Sequence, residues 1–230
     1  MPFLATLGMQ LGETDCEEIR DGFLSQPINA WSSLSFSAVG LFIVLSAWQA
    51  SGRERVARVV FGLLMVATGI GSFLFHGPQP AGSHFAHDIT FLATVWFLAV
   101  LNLTEAFSWR PESGWIAFGG GVGAMSILLV ALPDSTNILT GVTLGALVLA
   151  GIAIHRRGKI IGWRDGIALG AFAIAVGFLV VGRSSSPLCD PESLLQAHGG
   201  WHLFAAVALG AYFLATSPAR ITGRRSVGLT

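Results

Sequence analysis

The residues best suited to chemistry stand in the stretch Gln196-Ala197-His198-Gly199-Gly200-Trp201-His202. On a helix, His198 and His202 lie four positions apart and project from one face, so their two imidazoles can hold a single metal ion. A second stretch, Ser72-Phe73-Leu74-Phe75-His76, repeats that spacing with a hydroxyl and a third imidazole, and Asp88 follows twelve residues later. Asp88 has no charged neighbour in its segment until Glu105, and an ionisable group inside an apolar run marks a functional site. Three imidazoles with one open position and no thiolate nearby suit catalytic zinc, with His76, His198 and His202 as ligands. With Ser72 and Asp88 beside them, the set has the parts of a hydrolytic site.

The elements that must position these residues are membrane helices. The chain is 53% apolar and only 11% charged, with a mean hydropathy of +0.67, where soluble domains are roughly 25% charged. Seven apolar runs follow one another: one after Gln26-Pro27-Ile28-Asn29 that ends near Ala50, then roughly 57–76, 85–106, 114–132, 137–154, 164–182 and 196–216. Each is near the ~20 residues that span hydrocarbon as a helix. The alternation of a membrane β-barrel is absent, so the expected fold is an all-α membrane protein, a seven-transmembrane helix bundle. Three regions result: an acidic N-terminal segment (1–25) without the pattern of a signal peptide, a seven-helix domain (26–217) and a basic tail (218–230).

Of thirteen Lys and Arg residues, all but Arg20 and Arg183 fall after helices 1, 3, 5 and 7. The positive-inside rule then sets the N-terminus outside and the C-terminus in the cytoplasm. With that topology His76, Asp88, His198 and His202 converge at one depth near the outer face. Cys16 and Cys189, the only two cysteines, fall on the same side, where a disulfide can persist, the alternative being two buried free thiols. His84 shares a helical face with Asp88 and His87 adjoins it; both compete for the third ligand position but read more simply as polar rim residues. His155 lies at the opposite end and is interfacial. Ser72 has a plainer reading as a helix hydroxyl bonded to its own backbone. No basic tract interleaved with aromatics suggests nucleic acid, and no protein partner is evident.

These residues together resemble the alkaline ceramidase family, within the group of seven-helix hydrolases that includes adiponectin-receptor-like and haemolysin III-like proteins. The shared pattern is Ser-x3-His, Asp and His-x3-His, here Ser72/His76, Asp88 and His198/His202. Cys16-Glu17-Glu18, Asn29-Ala30-Trp31-Ser32 and Cys189 single out the ceramidase branch, where the resemblance implies a Cys16–Cys189 disulfide. It also implies a calcium site around the N-terminal motif. Glu17 carries over to that site, Ile19 and Gln26 stand where the pattern has an Asn and a Glu, and Asp15 or Asp21 could substitute.

The resulting expectation is zinc-dependent hydrolysis of a lipid amide, ceramide or a relative, entering from the bilayer. Asp88 would orient and deprotonate the attacking water and return the proton to the leaving amine, and Ser72 would stabilise the oxyanion. The competing reading is a lipid-sensing membrane protein of the haemolysin III or adiponectin-receptor type with a structural zinc, which would show a fourth protein ligand. A haem carrier would need His residues toward both faces, whereas five of the six His lie on one side. Short loops and the lack of sorting signals lean toward a bacterial cell membrane with the site on its extracytoplasmic side.

Overall fold

Backbone N–H and C=O groups in lipid find partners only within their own segment, so each apolar run folds as a helix. A computed structural model describes residues 11–158 and 161–216. It contains α1 (Pro27–Ser46), α2 (Gly52–His76), α3 (Ser83–Ala106), α4 (Pro111–Ala131), α5 (Thr136–Arg156), α6 (Trp163–Val181) and α7 (Ala197–Thr216). Short 3-10 turns, Ala47–Gln49 and Pro133–Ser135, follow α1 and precede α5. All seven helices are long and apolar enough to cross a membrane, which makes the chain an integral multi-pass membrane protein. The basic tail (218–230), the first ten residues and Lys159 lie outside the described residues.

Helix ends differ from the apolar runs because polar residues at a membrane interface still take helical backbone. α2 starts at Gly52, so Arg53, Glu54, Arg55 and Arg58 lie on its first two turns. There Arg58 Nη2 donates to Glu54 Oε1 at 2.6 Å, one turn away. α4 starts at Pro111, which suits the first helical position because the missing N–H would have had no partner there.

Small residues set how closely α1 and α2 pack. A Cβ added to Gly40 would come within 2.5 Å of the Gly62 carbonyl oxygen, so the two backbones touch where only glycine fits. Further along the seam Ser33 meets Ser72, Oγ to Oγ, at 2.8 Å. α7 packs on α1 and α6, while α3 packs on α2, α4 and α5 and is the most buried of the seven. Between them lies an aromatic core in which Phe61 stacks on Phe213 at 4.3 Å and on Phe97 at 6.2 Å. α4, α5 and α6 are the least buried. Ile116, Ile127, Val130, Ile138, Leu149 and Leu169 point outward from them, as on helices bathed in lipid.

The N-terminal segment is laid across the ends of α2, α6 and α7. Cys16 N donates to Gly182 O at 2.8 Å, Ser25 N to Gly77 O at 3.1 Å and Gln26 N to His76 O at 2.8 Å. Cys16 and Cys189 form a disulfide with Cα atoms 5.5 Å apart, fastening the segment to the loop before α7.

Candidate metal centre

The C-terminal end of α2 and the N-terminal ends of α3 and α7 meet at one end of the bundle, and the three imidazoles meet there with them. His76, His198 and His202 each offer one ligand atom within 4.8 Å of the other two, and all three are buried. Their ring centroids are 5.1 Å (His76–His198), 5.2 Å (His76–His202) and 4.7 Å (His198–His202) apart. Among the described residues this is the one group of His, Cys, Asp and Glu that could hold a metal ion, and it has three members.

Two of the imidazoles have a hydrogen-bonded outer partner at Nδ1. His76 Nδ1 lies 2.7 Å from Gln26 Oε1, an acceptor, so Nδ1 carries the proton and Nε2 a lone pair. His202 Nδ1 lies 2.9 Å from Ser32 Oγ. His198 Nδ1 lies 3.2 Å from Asp15 Oδ1 without a hydrogen bond between them, and that oxygen also sits 3.5 Å from Arg183 Nη1. Hydrogen-bonded partners such as Gln26 and Ser32 orient metal-ligating histidines and select the nitrogen that binds. Buried polar atoms without a hydrogen bond cluster in the same place: His76 Nε2, His198 Nδ1, Asp15 Oδ1 and both side-chain atoms of Asn29. Leaving such atoms unpaired costs roughly 1–3 kcal/mol each, so their concentration here fits a metal and its ligands.

Ser72 is buried and faces this cluster, with its Oγ 2.8 Å from Ser33 Oγ and 3.5 Å from His202 Nε2. Asp88 is buried as well but lies outside the three-histidine group. Its Oδ1 accepts from His87 Nδ1 at 2.8 Å, and Oδ2 accepts from Thr136 Oγ1 and lies 3.2 Å from His84 Nε2. His84 and His87, read from the sequence as rim residues, are therefore the partners of Asp88. The His87 ring stands 6.0 Å from that of His76, against the face of Phe75 at 4.5 Å.

Within the N-terminal motif, the Glu17 carboxylate meets protein donors. Glu17 accepts the backbone N–H groups of Ile28 (Oε1, 2.8 Å) and Asn29 (Oε2, 2.7 Å), so its carboxylate caps the start of α1. Burial pushes the Glu17 carboxyl up from its ordinary value, and those two N–H groups and Arg20 pull it back. Gln26 Nε2 donates to the carbonyls of Gly12 (3.0 Å) and Glu17 (2.8 Å). Calcium takes roughly six to eight oxygens. In the described segment Glu18 and Asp21 are exposed, and Asp15 faces His198.

Gln26, Ser32, Asp15 and Thr136 escaped the sequence reading as parts of the site. For Ser32 and Ser33 a signal existed, since they stand three and four residues after Asn29 on one helical face. For Asp15 and Gln26 no periodicity applies. In comparisons with known proteins, no family model and no curated protein matches the chain.

Proposed function

We propose that the chain is a zinc-dependent intramembrane hydrolase that cuts a lipid amide, ceramide-like, into a long-chain amine and a fatty acid. The observation that carries this reading is a buried trio of imidazoles that has no fourth His, Cys, Asp or Glu grouped with it among the described residues, flanked by a hydroxyl and a carboxylate-anchored imidazole. A structural zinc site would have four protein ligands, which weighs against the lipid-sensing alternative. The choice of ceramide rests on the resemblance to alkaline ceramidases.

His76, His198 and His202 would hold the ion, which when bound supplies a Lewis acid beside the scissile carbonyl. Ser72 Oγ, fixed by Ser33, donates a hydrogen bond to the oxygen on which charge develops. Both Asp88 oxygens are engaged, so Asp88 acts through His87. Holding the proton on His87 Nδ1, it leaves Nε2 to take a proton from the attacking water and return it to the departing amine. A lipid amide, apolar along most of its length, would reach the site from the bilayer that the seven helices span.

The test is to incubate the purified, zinc-loaded protein with a mixed lipid-amide extract and identify products by mass spectrometry. Long-chain amine and fatty acid should appear in equal amounts and disappear after chelation. A lipid pool that stays intact would reject the hydrolase reading in favour of a sensor.

Orientation supplies a separate prediction. With the basic loops in the cytoplasm, a cysteine introduced beside Asp134 should react with an impermeant thiol reagent in intact cells, and one beside Arg157 should resist it. The reverse pattern would turn the site toward the cytoplasm.

A further inference from the structure

Gln26 is a fully buried amide at the entrance to α1 whose hydrogen-bonding groups reach two separate parts of the molecule. Toward the histidine cluster, its Oε1 accepts from His76 Nδ1 at 2.7 Å, and its backbone N–H donates to the His76 carbonyl at 2.8 Å. Toward the N-terminal segment, its Nε2 donates to Gly12 O at 3.0 Å and Glu17 O at 2.8 Å. The amide cannot be reversed without cost, since a flip would set NH2 against the Nδ1–H of His76 and an oxygen against two carbonyls. Room is also fixed: Gly12 has φ of +80°, and a Cβ there would come within 2.4 Å of Gln26 Oε1.

We infer that Gln26 is a positioning residue of the metal centre: it selects Nε2 of His76 as the ligand atom and ties down the N-terminal segment without a second cation. This rests on the three histidines binding a metal and is independent of the reaction catalysed. A carboxylate at position 26, which the resemblance implies, would leave the Gly12 and Glu17 carbonyls without a donor and call for a cation between them. The amide supplies that donor itself. The segment that carries Asp15 to His198 and Cys16 to Cys189 is thereby coupled to His76 through one side chain.

The experiment uses the purified full-length protein, made metal-free by chelation, with zinc affinity read by competition and the ligand field by cobalt absorption. Loss of an outer partner of a metal-ligating histidine weakens binding by roughly 10–100-fold, so Gln26→Leu should bind zinc that much more weakly while keeping its helicity. Gln26→Glu keeps the acceptor for Nδ1–H and makes the imidazole a stronger donor. It should therefore hold zinc far better than the Leu variant and shift the cobalt bands relative to the parent, a change that a purely structural role would not produce. The melting temperature of the parent should be the same with calcium or with a calcium chelator. Parental zinc affinity in Gln26→Leu, or an unshifted cobalt spectrum in Gln26→Glu, would overturn the positioning role. Should the Leu variant not fold, the Glu spectrum decides alone. A parental melting temperature that rises with calcium would overturn the cation-free fastening.

Discussion

Replacing His202 by Ala should strip the metal and abolish turnover together. His202 is buried, its Nδ1 meets Ser32 and its ring lies within 4.7 Å and 5.2 Å of His198 and His76. The substitution leaves two imidazoles on different helices, neither able to make good the lost bond. Its effect on zinc affinity should exceed the roughly 10–100-fold that an outer partner is worth. The Phe36 ring, 6.1 Å from that of His202, loses a neighbour as well, so the fold needs its own control. Far-ultraviolet dichroism of the variant should match the parent, and elemental analysis should find no zinc. If zinc stays at one equivalent, His202 is not a ligand and the centre has been assigned to the wrong residues.

Lipid made the seven helices legible, because a backbone without water has few ways to satisfy itself. It also made the convergence of His76, His198 and His202 legible, since each lies at the same end of an up-and-down bundle. What surrounds them was not. Asp15 and Gln26 belong to a segment without periodicity, whose course is set by backbone bonds to Gly182 and Gly77 and by the disulfide to Cys189. Glu17 illustrates the limit from the other side. The resemblance offered it as a cation ligand; nothing in the sequence showed that both its oxygens cap the start of a helix eleven and twelve residues further on, far from the spacing of an ordinary cap. Asp88 was legible as a buried carboxylate in an apolar run, but not the neighbours that use it up. One of them, Thr136, comes from α5, 48 residues away.

That difference in surroundings makes Asp88→Asn the most discriminating single change. Asp88 lies outside the three-histidine group, so the variant should keep a full equivalent of zinc. Its amide can offer one acceptor where the carboxylate offers two, and three groups compete for it: His87 Nδ1, His84 Nε2 and Thr136 Oγ1. With NH2 turned toward His87, the imidazole proton must move to Nε2, and the nitrogen that should accept a proton from water becomes a donor. A His held in the wrong tautomer by this same Asp→Asn change costs about 10⁴ in kcat in a serine protease, and general acid–base catalysis as a whole is worth roughly 10²–10⁴. A loss of that order is expected in single-turnover hydrolysis, with substrate affinity little changed because Asp88 is assigned no contact with the lipid. His87→Ala should fall to a similar rate, since Asp88 acts through that ring. An Asp88→Asn protein that comes out metal-free would make Asp88 a ligand and displace one histidine from the set; one that hydrolyses lipid amides at the parental rate would leave the proton pathway, and the hydrolase reading built on it, without support.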